Sequence, residues 1–345
     1  MSTNEPPAGS HAAAEAGVRA VLQASRVAQM MYVMAELGLP ELLADGPRPA
    51  DDLAVATGAH APSLYRLLRA LAAAGFVTQE PGQRFALTAR GAVLRPDAPG
   101  ELAAQVRIQL SEPRWRPWGN LLASVRSGRS TFHDIFGMSD WEYQARHPEL
   151  ADHFNAFMSR RSTLQQAAIV AAYDFSRFGT VVDVGGGQGQ LLAEILRANP
   201  GTRGILFDQP EVVRGADAIL DTADLRGRCT IIGGSFLEAV PAGGDAYLLK
   251  SILHNWDDAP ARDILRNVHD AMAPGGTLLL LERVLPEEQT LELGEAIADL
   301  TMLVILQGKE RTEREFAALL DATGFRLERV VPTGADVGIV EGTRR

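Results

Sequence analysis

Residues 181–196 read VVDVGGGQGQLLAEIL, with Gly185, Gly186, Gly187 and Gly189 set between an apolar, strand-like run and a run of helical spacing. A glycine loop that follows a buried strand and opens a helix is where a doubly wound sheet binds a nucleotide-like ligand. Without Cβ atoms the backbone can approach that ligand closely. The dinucleotide pattern G-x-G-x-x-G, counted from Gly185, would need a third glycine where Gln190 stands, so NAD is disfavoured. What is present is D-x-G-x-G-x-G beginning at Asp183. A carboxylate at the strand end repels a pyrophosphate and attracts a ligand bearing an amino group. S-adenosylmethionine is such a ligand.

Downstream, TVVDV, GILFD, CTIIGG, DAYLLK and GTLLLLERV are apolar strands, each followed by a helical run, and RLERVVPT and VGIVEG close the chain. That alternation predicts an α/β fold, a Rossmann-like sheet with helices on both faces, over residues 166–345. Upstream, LQASRVAQMMYVMAELGLPELLADG has helical spacing, two short helices join at Gly58, and FVTQEPGQRFALTARG turns through Pro-Gly like a hairpin. This order predicts a mostly helical, winged-helix domain over residues 1–100. Residues 101–165 form a helical connector between the two.

A winged helix suits DNA recognition, or it is a scaffold reused for dimerisation or substrate closure. Residues 1–100 carry eight arginines and no lysine against nine acids, and the candidate recognition helix offers only Arg66 and Arg69. Phosphate binding needs a basic face, so the scaffold reading is favoured. Met30, Met31 and Met34 fit an interface with a second copy, or a core stripe. The net charge of −10 over 345 residues argues against general affinity for nucleic acid or anionic membranes. No apolar run approaches the roughly 20 residues of a membrane helix. The opening MSTNEPPAGSHAAAEAG lacks a signal-peptide layout, so a cytoplasmic protein is expected. Cys229 is the one cysteine, which removes disulfide frameworks and cysteine zinc clusters. The seven histidines show no i, i+4 pairing, so no metal is expected.

Several residues stand out on their chemistry. Asp208 ends the second strand, where a carboxylate accepts the hydroxyls of a ribose or caps the next helix. His254 lies just past AYLLK, at the carboxyl edge of the sheet, where it is either structural or a base near neutral pH. Glu282 ends a run of four leucines. Glu310 precedes a helix and has the simpler reading of a helix-start acid, as do Asp257 and Asp258.

With VVDVGGGQG, LFDQPEVV, GGSF, LLKSILHNWDD, LLLLERVLPE and DLTMLVILQGKERTEREF in view, the chain resembles the small-molecule O-methyltransferases of the caffeic acid O-methyltransferase type. That family includes bacterial enzymes that tailor aromatic antibiotics. The resemblance implies a homodimer whose N-terminal winged helix is a dimerisation domain, with S-adenosylmethionine as cofactor. Asp183, Gly185, Gly187 and Asp208 would contact the cofactor, Ser235 and Phe236 would flank its adenine, and Lys250 would lie alongside. Ser235 stands where the family has an acid, and Asn255 where it has the aspartate of H-D-W. His254 would be the general base, flanked by Glu282 and Glu310. Phe154, Asn155, Met158, Asn255 and Met302 would hold an aromatic acceptor. A phenolic hydroxyl is the expected acceptor group. Nitrogen or carbon methylation, non-methylating use of the cofactor, and a ligand-responsive transcriptional regulator remain as alternatives.

Overall fold

The computed structural model describes residues 8–100, 102–147, 165–222, 224, 225 and 227–345. The chain forms two compact units, with one boundary between Trp115 and Arg116. In the N-terminal unit, helix Ala8–Glu36 buries Met34 and Ala35, while Val18, Val21 and Leu22 are 63, 71 and 60% exposed. Met34 is therefore a core residue of its own unit, and Met30 and Met31 pack against the same core. Helices Ala50–Thr57 and Ala61–Ala73 follow, the first closed by Gly58 at φ 67°. Strands β1 (Arg48–Pro49), β2 (Val77–Glu80) and β3 (Arg84–Leu87) make an antiparallel sheet in the order β1-β3-β2. Leu53, Leu64, Leu68, Leu71, Phe76 and Phe85 fill the space between helices and ribbon.

The C-terminal unit is built on β4 (Thr180–Val184), β5 (Arg203–Asp208), β6 (Cys229–Gly233), β7 (Ala246–Lys250) and β8 (Thr277–Glu282), with β11 (Phe325–Pro332) and β12 (Gly338–Arg344), while β9 (Val284–Leu285) and β10 (Arg311–Thr312) pair in a separate parallel ribbon. Their order is β11-β12-β8-β7-β4-β5-β6; β12 runs antiparallel to β8 and β11, and the other neighbours are parallel. The strands alternate between two cores. Val181, Leu248, Leu279 and Leu281 face Leu192, Ile195 and Leu196 of helix Gln190–Ala198. Val182, Tyr247, Leu249, Leu278 and Leu280 face Ile264, Leu265 and Val268 of helix Asp258–Ala271. Burial on both faces is why these strands read as continuous apolar runs rather than alternating ones.

From β4 the chain moves to β5 and β6 on one side, then returns to β7 and β8 on the other. The carboxyl end of β4 is thus the switch point, where such sheets open a crevice for ligands.

Arg116–Tyr143, expected as part of a connector, belongs to the C-terminal unit. Phe132 packs with Val304 and Ile305, and the Ser130 hydroxyl donates to the carbonyls of both at 2.9 Å.

Leu249→Ala in β7 is expected to destabilise the C-terminal unit by about 2–5 kcal/mol, the usual cost of truncating a fully buried leucine. A lowered urea midpoint, followed by circular dichroism, checks this; an unchanged midpoint contradicts the two-sided packing of β7.

Candidate active site

The glycine loop runs from the end of β4 into helix Gln190–Ala198. Gly185, Gly187 and Gly189 have φ of 70, 62 and 85°, a region that other L-residues rarely occupy. A Cβ on Gly186 would stand 2.6 Å from the Asp183 carboxyl, whereas one on Gly187 would meet nothing within 4 Å. Gly186 is thus required by packing, and Gly187 opens onto the crevice.

Asp183 is 1% exposed and its Oδ2 has no hydrogen-bond partner. Burial, and then the like charge of Asp208, push its carboxyl up to about 7, against the opposing charge of Lys250 at the end of β7. A buried, unpartnered carboxyl beside a bare backbone fits a ligand that carries an ammonium group. Asp208 accepts from Gly187 N at 2.8 Å with Oδ2 and from Gln209 N at 2.7 Å with Oδ1. Each oxygen keeps a second lone pair, so Asp208 shapes the loop and retains acceptor capacity for a ribose. Burial raises its pKa. Beyond β6, the Ser235 hydroxyl accepts from Leu237 N at 3.3 Å, a local turn bond. The Phe236 ring lies beside Gly185 and edge-on to Trp256, with centroids 6.5 Å apart.

His254 sits in the 3-10 turn Leu253–Asn255 that follows β7. Glu282, at the end of β8, is 1% exposed. Its Oε1 accepts from Ile252 N at 2.9 Å and Leu253 N at 2.7 Å, holding the start of the turn. Its Oε2 lies 3.6 Å from His254 Nδ1. Glu310 Oε1 lies 3.4 Å from the same nitrogen and 3.9 Å from Arg283 Nε. Burial, and to a lesser degree the charge of Glu310, raise the Glu282 pKa; the nearby His254 opposes this. Oε2 of both glutamates lacks a hydrogen-bond partner. Two buried acids lie within 3.4–3.6 Å of one imidazole nitrogen, an arrangement that would stabilise an imidazolium.

The helix-start reading of Glu310 fails, because helix Glu313–Asp321 is capped by Thr312 and Glu315 while Glu310 is buried against His254. For Asp257 that reading holds: it caps helix Asp258–Ala271 through Ala259 N. The three side chains also bring one potential ligand atom each within 4.8 Å, among the described residues the one such grouping. They come from three separate elements, so histidine spacing carried no signal of it. Asn255 donates its side-chain N–H to Ser251 O at 3.2 Å, a bond an aspartate could not make. Met302 is half-buried and opens the π-helical turn Met302–Leu306. Phe154, Asn155 and Met158 lie outside the described residues.

Arg311, which sequence reasoning passed over, is 1% exposed and binds the backbone of the histidine turn. Charged residues default to the surface, so the only signal was its place next to Glu310. A notional Cβ on Gly185 would come 2.5 Å from Ile252 Cδ1, so the glycine loop and the histidine turn are direct neighbours.

The O-methyltransferase domain family matches residues 118–326, and the O-methyltransferase dimerisation domain matches residues 20–97. The chain is 45% identical over 316 residues to a phenazine O-methyltransferase of Lysobacter antibioticus, covering 91% of this chain and 92% of that one. The solved structure of a mitomycin 7-O-methyltransferase superposes with a TM-score of 0.88 at 42% identity, covering 98% of this chain and 99% of that one. An O-methyltransferase of neocarzinostatin biosynthesis, solved with S-adenosylmethionine and 2-hydroxy-5-methyl naphthoic acid, superposes at 0.82 and 33% identity, covering 92% and 96%. Relatives also include enzymes named as N-methyltransferases. The chain belongs to the O-methyltransferase family. It is an S-adenosylmethionine-dependent enzyme, which decides against a transcriptional regulator.

In the folded protein the neutral acid is favoured relative to an unfolded value near 3.9, so Asp183 costs nothing at low pH and destabilises progressively as pH rises through about 7. A cationic cofactor favours the ionised form. Affinity for S-adenosylmethionine is expected to rise roughly five- to ten-fold from about pH 6 to about pH 8, with proton release, and Asp183→Asn is expected to be weaker and flat. Calorimetry in buffers of different ionisation enthalpy reads both; a flat wild-type profile rejects the contact.

Proposed function

We propose that this enzyme transfers the methyl group of S-adenosylmethionine to a phenolic hydroxyl of an aromatic secondary metabolite, with His254 as general base. The observation that carries the proposal is the imidazole of His254 held by two buried glutamates beside the glycine loop. S-adenosylmethionine supplies an electrophilic methyl on a sulfonium whose thioether leaving group is neutral, so no general acid is needed. A phenol, however, must lose its proton to be a good nucleophile.

With Nδ1–H directed at Glu282 and Glu310, Nε2 carries the lone pair that accepts the phenolic proton. The phenolate oxygen would then bond to the methyl carbon of bound S-adenosylmethionine as the carbon–sulfur bond breaks. Positive charge passes from sulfonium to imidazolium, where the two carboxylates meet it. The named relatives and the naphthoate-bound neighbour support an aromatic acceptor.

His254→Gln is expected to lower methylation by about 10²- to 10⁴-fold while leaving cofactor affinity within two-fold, because glutamine cannot accept a proton near neutral pH. The wild-type rate should fall on the acid side as the histidine protonates, and that limb should vanish in the variant. Mass spectrometry of hydroxyphenazines and hydroxynaphthoates, scored for gain of one methyl group, reads the rates. Full activity of the variant at neutral pH sinks the base assignment; methylation confined to amine analogues of the panel redirects the acceptor to nitrogen.

The working form is a homodimer joined through the N-terminal unit. Its matched dimerisation domain and the exposed apolar residues Val18, Val21 and Leu22 support this. Val21→Glu with Leu22→Glu is expected to shift the protein from two chains to one in light scattering. A dimer that persists places the interface elsewhere.

A further inference from the structure

The turn that carries His254 is not a low-energy backbone. Ser251, which leads into it, has φ 56°, a left-handed value for a residue with a side chain. Something must hold the turn, and two charged side chains do so from opposite directions. Glu282 receives its first N–H groups. Arg311 serves its carbonyls: Nη1 donates to Leu253 O and Nη2 to Trp256 O, both at 2.9 Å. The same guanidinium binds Asp258 Oδ1 through Nε at 3.2 Å and Nη2 at 2.9 Å.

The segment around Arg311 lies flat on this turn. A Cβ on Gly308 would overlap the carbonyl oxygen of His254 and stand 2.6 Å from the carbonyl carbon of Asn255. Gln307, itself at φ 63°, donates to Asp257 Oδ2 at 3.3 Å, and Lys309 pairs with Asp258 at 3.3 Å. Between Lys309 and Arg311 stands Glu310, whose carboxylate faces His254 Nδ1. One short segment thus fixes both the backbone beneath the imidazole and one of the ring's two acidic partners. A fully buried guanidinium is expensive to desolvate, and such groups are weak contributors to net stability. Its fork geometry, matched to two carbonyls and a carboxylate, instead selects one conformation of the turn.

We propose that Gln307–Arg311 is a splint for the catalytic histidine, and that Arg311 is a positioning residue which sets the distance from the His254 ring to Glu282 and Glu310. The proposal rests on the reading of His254 as the base, because only then does ring position govern rate. Among the described residues, the charged groups placed beside that ring include Glu282 from β8 and Glu310 from the splint, with Arg283 near Glu310.

The test uses full-length protein labelled at histidine Cε1, loaded with S-adenosylhomocysteine, with the His254 resonance assigned by its loss in His254→Gln. Arg311→Met and Gly308→Ala are expected to lower the His254 titration midpoint by roughly half a unit or more, because the ring recedes from its carboxylates. Arg311→Lys, which keeps the charge and one donor at a time, is expected to fall between wild type and Arg311→Met. If Arg311→Met or Gly308→Ala fails to fold, Arg311→Lys decides. With the hydroxyphenazine and hydroxynaphthoate panel, kcat is expected to fall on the order of 10²-fold with acceptor KM nearly unchanged. In the His254→Gln background the same changes should cost little more, since they act through His254. A lower melting temperature with an unmoved His254 midpoint overturns the splint and leaves Arg311 a structural residue. An active His254→Gln enzyme instead overturns the base assignment, and the midpoint shift is read independently of it.

Discussion

The buried carboxylate of Glu282 is the interaction on which the active site depends. Four leucines of β8 carry it into the interior, where burial raises its pKa and leaves any unmatched lone pair costly. Its two oxygens divide the work. One gathers two N–H groups of the turn that bears His254, and the other faces the imidazole. The same side chain therefore holds the backbone of the turn that bears His254 and faces its ring. Removing it would leave buried donors unsatisfied and the imidazolium short of a partner.

Around this point the sheet does the long-range positioning. β4 and β7 are neighbours although the chain visits β5 and β6 between them, so the glycine loop and the histidine turn leave adjacent strand ends. The close approach of Gly185 to Ile252 is the direct contact between the glycine loop and the histidine turn. β8 then adds Glu282 from the other side of β7, and Glu310 arrives from beyond the π-helical turn. The π-helical turn lets the chain leave the helix Leu293–Thr301 and fold back, with Gly308 N bonded to Met302 O at 3.1 Å.

Several side chains have a second duty that motif reading alone does not reveal. Asp208 holds Gly187 in place, Ser235 ties its own turn, and Asn255 closes the turn back to Ser251. In each case a polar group near a ligand site also satisfies the local backbone, as irregular loops require. Asn255 donates to the carbonyl of the left-handed residue that begins the turn, a bond an aspartate could not make.

The sequence by itself determined the layers of this protein. Strand composition, the D-x-G-x-G-x-G loop and the helical spacing between strands are local, period-based signals, and the strands they mark are those of the sheet. Glu282 was legible as a chemically apt residue, because a carboxylate after four leucines is unusual on its own, whereas His254 and Glu310 were marked only by the family resemblance. Their convergence was not legible, and neither was the role of Arg311, the inclusion of Arg116–Tyr143 in the C-terminal unit, or the burial of Met34 in its own core. Those depend on which strands lie side by side and which carbonyls a guanidinium can reach. Hydrophobic period specifies which face of an element is buried; only tertiary packing specifies which distant residue lies against it.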